Sequence, residues 1–359
     1  MRFKYTPIIG WIVMGFFLTA GIFCYFIFYN KNLLPEGMRL IPASFEEEED
    51  VILEEITLPP ESGNLPVSSF GEVWAYLMEG REYALNPGRP ISDLVYFNAE
   101  VDTYGKLTAL PDPGKLSSFK GRLHLIIACN GRALTHFAIE EGSNVRKQLI
   151  NDIIDASQPY QGLQIDFEYV PAKDGEAFLS FLKELRRDLK GKMFTVALPA
   201  RSRTIADDVY DYKKIAGIVD RILVMAYDEH WSTSEPGPIA SMDWCQRVAA
   251  YSLRTIGSEK LIMGLPFYGR SWGSFNANRA YMHSSIENLK KEQNITRIDR
   301  EKGIPYFKYQ TPLDIVTYYE DGYSLSARME MYRNMGVKSI GFWALSQETP
   351  EIWNLIKIE

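Results

Sequence analysis

Cysteine and histidine are scarce in this chain: three Cys (Cys24, Cys129, Cys245) and four His (His124, His136, His230, His283) in 359 residues. The cysteines are odd in number and widely spaced, so neither a disulfide framework nor a metal-ligand spacing can be read from them. The histidines show no paired spacing either, and no metal and no organic cofactor is expected. Basic charge is also short. The 39 Lys and Arg stand against 46 Asp and Glu, a net of −7, whereas nucleic acid as a main partner requires a basic face. A glycine-rich phosphate turn is missing too. The segment after the first β-rich run, AYLMEGREYALNPG, carries no dinucleotide fingerprint. Apolar residues, by contrast, are plentiful: the hydrophobic fraction is 46%, with 21 Tyr and 7 Trp. That supplies a core, excludes a disordered chain, and provides aromatic faces of the kind that sugar rings stack on.

The charge is unevenly placed. Residues 1–69 hold four basic residues against nine acids, including the run Glu46–Asp50, while the remaining 35 basic and 37 acidic residues nearly balance. Residues 8–29 form a run of 22 without a charge, preceded by Arg2 and Lys4 and followed by Lys31. At ~1.5 Å per residue such a helix spans the roughly 30 Å hydrocarbon core of a bilayer. The run is longer than a cleavable signal core and ends in Phe-Ile-Phe-Tyr-Asn rather than small residues. An uncleaved single-pass anchor over residues 1–30 is therefore expected, with the rest of the chain on the extracytoplasmic side. Residues 31–69, rich in Pro, Glu and Ser, read as a tether with a strand at 51–57.

From residue 70 onward the pattern repeats. Short β-rich apolar runs fall at 73–78, 94–98, 123–128, 163–168, 194–198, 222–227, 261–266 and 339–344. Between most of them lie segments of helical period. Ser143 reads as an N-cap for 145–156, Ala177–Leu189 repeats the amphipathic theme, and Ser324 opens a last helix that Gly336 ends. Eight strands alternating with helices fit a (β/α)8 TIM barrel over 70–359, with a small insertion at about 271–311 between strands seven and eight. A doubly wound open sheet is the alternative; it would place the missing phosphate turn after its first strand.

The fourth run carries acid. In GLQIDFEYV, Leu163, Ile165 and Phe167 alternate with Gln164, Asp166 and Glu168. The apolar set faces the helices, so the polar set points into the barrel and climbs toward the carboxyl end, where barrel enzymes do chemistry. Carboxylates at i and i+2 sit about 6–7 Å apart, and each ionised one disfavours ionisation of the other. One is then available as a general acid near neutral pH.

The same segment resembles the Asp-Gly-x-Asp-x-Asp-x-Glu strand of glycoside hydrolase family 18, the chitinase and endo-N-acetylglucosaminidase family. The resemblance continues in Met225-Ala226-Tyr227-Asp228, in Gly264-Leu265-Pro266-Phe267-Tyr268-Gly269-Arg270 and in Gly341-Phe342-Trp343. It implies substrate-assisted, retaining hydrolysis of a polysaccharide or oligosaccharide with β-linked N-acetylhexosamine, either peptidoglycan-like or chitin-like. On that resemblance Glu168 is the acid and Asp166 holds the acetamido N–H. Tyr227 donates to the acetamido oxygen, and Asp228 orients acetamido or hydroxyl groups. Trp343 is the apolar floor, with Met225 beside it, and Tyr268 and Arg270 line the groove. Trp74 and Tyr76 stand where the first strand supplies aromatics. Gln164, counted on the same resemblance among the substrate-binding residues, replaces an acid that exchanges hydrogen bonds with the later Asp, and Gln161 replaces another. The third strand reads Ala128-Cys129-Asn130-Gly131 in place of Ser-x-Gly-Gly. The competing readings are a glycan-binding barrel with weak or no catalysis, and a membrane scaffold. Retention of Glu168 favours the enzyme.

Overall fold

The computed structural model describes residues 53, 55–60, 63–273, 278–311 and 313–359. Eight parallel strands close on themselves: β1 (Glu72–Met78), β2 (Asp93–Phe97), β3 (Arg122–Ala128), β4 (Gly162–Asp166), β5 (Met193–Pro199), β6 (Arg221–Met225), β7 (Leu261–Pro266) and β8 (Ser339–Trp343). Each pairs with the next, and β8 pairs back to β1, so the sheet has no free edge. Helices Asn144–Ala156, Gly175–Asp188, Met242–Thr255 and Gly322–Asn334 are among those that cover the outside. This is the eight-stranded α/β barrel expected from the alternation. The expected anchor over residues 8–29 lies outside the described residues. Among the described residues no helix is long and apolar enough to cross a membrane.

Period-two alternation sorts the strand side chains. Leu163, Ile165 and Phe167 join the large core between sheet and helices. Trp74, Tyr76, Val95, Ile126, Ala197, Leu223 and Ile262 fill the barrel interior. The amino end of the barrel is closed by charge. Glu72 accepts from Arg122 (2.7 Å), Arg221 (3.0 Å) and the Trp74 indole (3.0 Å), and Asp93 accepts from Arg122 (2.6 Å) and meets His124 (2.8 Å). Gly162 opens β4 for a steric reason: a Cβ there would stand 2.1 Å from His124 Nδ1. The glycine of the acid motif thus makes room for the plug at the far end from the acids.

Three local details differ from the sequence expectations. The last helix, Gly322–Asn334, is capped by Asp321, whose carboxylate accepts from the Ser324 backbone N–H, while Ser324 Oγ at N3 accepts in return from the Asp321 N–H. Ser324 is therefore one half of a capping box, not the residue that opens the helix. Leu53 and 55–57, the described part of the strand expected at 51–57, lie in no strand. Instead Ser68–Phe70 pairs in parallel with Ile356–Ile358, tying the chain's entry to its end. The preceding segment is also docked, since Tyr323 donates to the Pro59 carbonyl (2.7 Å) and Ser326 to that of Pro66 (2.8 Å). Between β7 and β8 a five-stranded antiparallel sheet and the helix His283–Glu292 run from Tyr268 to Tyr318.

Candidate active site

The carboxyl ends of the strands open into a cleft of about 670 Å³. Its walls come from Tyr76 on β1, Asp166 on β4, Glu168 just beyond it, and Met225, Tyr227 and Asp228 at the end of β6. Tyr268 and Arg270 from the antiparallel sheet and Trp343 from β8 complete the ring. Nine of the residues that the sequence marks thus share one cavity, at the end of the barrel where this architecture places chemistry.

Asp166 is the last residue of β4; Glu168 follows in a turn rather than on the strand. Tyr210 fixes that turn, with its hydroxyl donating to the Phe167 carbonyl (2.8 Å) and accepting from the Val170 N–H (3.0 Å). Asp166 is only 9% exposed, and its buried Oδ1 has no hydrogen-bond partner among the described residues. Burial in first place, and the Glu168 charge in second, push its carboxyl up to about 8. Glu168 is exposed to the cleft, yet its carboxyl is also raised above its ordinary value, by partial desolvation in the cavity first and by the Asp228 charge second. Both carboxyls are shifted upward by desolvation and by a neighbouring charge, Glu168 acting on Asp166 and Asp228 acting on Glu168.

Gln164 does not reach Asp166. Its Oε1 accepts from the Tyr76 hydroxyl, and its Nε2 donates to Thr195 Oγ1 (3.0 Å). The side chain is fully buried below the cleft. A direct sugar contact by Gln164 is therefore corrected to a place in the floor, where the polar strip of the barrel interior absorbs its amide. Trp74 is likewise corrected. It is 0% exposed, packs on His124 at 4.5 Å between ring centroids, and belongs to the plug at the amino end. Trp74 and Tyr76 alternate onto the same inner face, and only Tyr76 stands high enough to meet the cleft.

Asp228 adopts a left-handed backbone (φ 57°), which a short polar side chain tolerates better than most. Its Oδ1 accepts from the Tyr268 hydroxyl (2.6 Å) and lies 3.4 Å from Arg270 Nη2. The Tyr227 ring meets Tyr268 edge-on at 6.4 Å. Gly264 makes that position available: a Cβ there would stand 2.8 Å from the Val224 carbonyl oxygen and 2.9 Å from the Tyr227 ring. Burial raises Tyr227 and Tyr268 well above the usual phenol range, so both remain hydrogen-bond donors at any ordinary pH. Trp343 lies against Tyr76 (5.3 Å) and edge-on to Phe97 (5.5 Å), with part of its ring facing the cavity.

The sequence reading missed Arg81, Pro199, Ala200, Tyr281, Met282 and Gln347, which also line the cleft. All but Pro199, the last residue of β5, sit on a loop or an inserted strand, where no period-two or helical signal applies. Tyr210 was missed for the same reason.

The sequence profile of Glycosyl hydrolases family 18 matches residues 83–348. A putative sporulation-specific glycosylase of Bacillus subtilis is 33% identical over 230 residues, which are 59% of this chain and 54% of that protein. This chain thus spans about half the length of that relative. Among solved structures, the spore cortex-lytic enzyme of Bacillus cereus superposes with a TM-score of 0.72 at 21% identity, covering 82% of this chain and 74% of its own. A chitinase from Chromobacterium violaceum gives 0.69 at 20% identity, covering 79% and 97%. The two structures are alike in fold. This chain belongs to glycosyl hydrolase family 18.

Proposed function

We propose that this family-18 chain is a glycosidase that cleaves glycans containing β-linked N-acetylhexosamine, by a retaining mechanism in which the substrate supplies the nucleophile. The observation that carries the reading is the buried, partnerless Oδ1 of Asp166, two residues before the cleft-facing Glu168. A lone buried carboxylate oxygen calls for a donor, and an acetamido N–H is a donor of the right reach. Donation to the ionised form lowers the carboxyl's proton affinity, so substrate binding turns Asp166 into the anion that an oxazolinium ion needs beside it.

In the first step Glu168 gives its proton to the glycosidic oxygen as the bond to the anomeric carbon breaks, and the acetamido oxygen forms the new bond to that carbon. Tyr227 donates to the acetamido oxygen, and Asp228, held by Tyr268, orients the group. In the second step Glu168, now a carboxylate, takes a proton from water as the water attacks the anomeric carbon and the acetamido oxygen leaves. The sugar stacks on Trp343, beside Met225.

The relative's description as a sporulation-specific glycosylase is consistent with glycan cleavage. The uncharged run at residues 8–29 supports tethering of the barrel to a membrane on its extracytoplasmic side, as one domain from about residue 70 behind a linker at 31–69. The direct test is Glu168→Gln in the purified protein. Cleavage of an N-acetylglucosamine glycoside is lost while glycan binding by calorimetry persists; equal turnover with and without Glu168 removes the assignment.

A further inference from the structure

Arg81 is a cation of the cleft that the hydrolytic steps do not use. It follows β1 in the loop turned by Gly80 (φ 84°), is half-buried, and lines the cavity with Trp343 and Gln347. Among the described residues its guanidinium makes one hydrogen bond, from Nη1 to Ser346 Oγ (2.7 Å). Four of its five N–H donors are left over. Its acidic neighbours in sequence are engaged elsewhere. Glu79 holds Lys115 (2.7 Å) and Asn98 (2.8 Å), and Glu82 accepts from Tyr96 and the Gly80 N–H (3.0 Å). Glu348, past the end of β8, gives its Oε1 to Arg89 (2.7 Å), and its buried Oε2 bonds no group, Arg81 included, among the described residues. The other cleft arginine differs, because Arg270 has Asp228 at 3.4 Å. Gln347, next to Ser346 on the same wall, has a buried Oε1 with no partner among the described residues. One wall of the cleft therefore offers an uncompensated guanidinium, pinned by Ser346, next to a spare acceptor.

A neutral N-acetylglucosamine polymer has no use for such a cation. A planar guanidinium with free donors matches a carboxylate, which it binds with two parallel hydrogen bonds. Resting on the proposed function, we infer that Arg81 selects glycans carrying a carboxylate on or beside the N-acetylhexosamine, such as a lactyl ether. Arg81 binds that carboxylate, and Gln347 accepts from a neighbouring hydroxyl or amide N–H.

The test compares one substrate in two charge states: peptidoglycan glycan strands freed of stem peptides by an amidase, so that the lactyl carboxyls are free, and the same strands with those carboxyls converted to methylamides by carbodiimide coupling. The readout is the ratio of kcat/KM on acid strands to that on amidated strands, taken within one preparation so that loss of folded protein cancels. The wild-type ratio is expected at roughly ten or more, the worth of a charge-assisted hydrogen bond. Arg81→Gln brings it near one, and Arg81→Lys, which keeps charge but not the fork, leaves it between. A wild-type ratio near one, or a high ratio that survives in Arg81→Gln, overturns the inference while leaving the glycosidase reading intact. If neither form of the strands nor an N-acetylglucosamine oligomer is cleaved, the proposed function fails and this inference with it.

Discussion

Gln164 turns its amide away from Asp166. Two residues apart on β4 and both inward, they share no hydrogen bond: Gln164 is held by Tyr76 and Thr195, and Asp166 Oδ1 has no partner. The floor of the site is thus neutral and saturated, and the acid above it is desolvated. Several consequences can be measured.

The stability of the fold should depend on pH through Asp166. Its ordinary value of 3.8 applies in the unfolded chain, against about 8 in the fold. Between those limits the native state keeps a proton that the unfolded state releases, so this group's contribution falls as pH rises and is constant above the upper limit. Asp166→Asn removes the penalty. Its unfolding free energy relative to wild type should grow from pH 4 to pH 8 by on the order of a few kcal/mol, as measured by urea titration at each pH. A difference that stays flat with pH contradicts the burial assigned here.

Asp228 raises Glu168, so Asp228→Asn should lower it. A general acid works only while protonated, and activity fails as pH rises through its pKa. The alkaline limb of the kcat/KM profile should therefore move to lower pH in Asp228→Asn. An unmoved limb means that Asp228 does not act on Glu168 by charge.

Gly264→Ala should displace Tyr227, since the added Cβ would lie 2.8 Å from the fixed Val224 carbonyl and 2.9 Å from the phenol ring. A destabilisation of about 1–3 kcal/mol, typical of overpacking, is expected together with a fall in kcat. Thermal unfolding and steady-state kinetics on the same protein separate the two effects.

The two tryptophans should part company. Trp343→Ala removes a ring that faces the cleft and should raise the dissociation constant for an N-acetylglucosamine oligomer. Trp74→Phe removes a buried indole that bonds Glu72 at 3.0 Å, costing about 1–3 kcal/mol of stability. Its oligomer affinity should stay within twofold of wild type. Calorimetric titration beside thermal melts reads both.

Trp74 also shows how far the sequence could be read. Alternation places Trp74 and Tyr76 on one face, but depth along the barrel depends on where each strand enters the closed sheet, which alternation does not encode. The same limit governs Gln164, whose partners Tyr76 and Thr195 come from β1 and β5 and meet only after closure. The acids were legible because a strand end is a local feature: Leu163, Ile165 and Phe167 fix the facing, and Asp166 and Glu168 follow from it. Arg81, Gln347 and Tyr210 carry no periodic signal, being loop residues whose positions the assembled barrel decides.

The central claim is that the nucleophile belongs to the substrate. Proton NMR of the first product formed from a β-linked N-acetylglucosamine oligomer tests it, with the matching glucose oligomer run in parallel. The account predicts that the β anomer appears first from the acetamido substrate and that the glucose oligomer is not cleaved. An α anomer as first product, or comparable cleavage of the glucose oligomer, would contradict it.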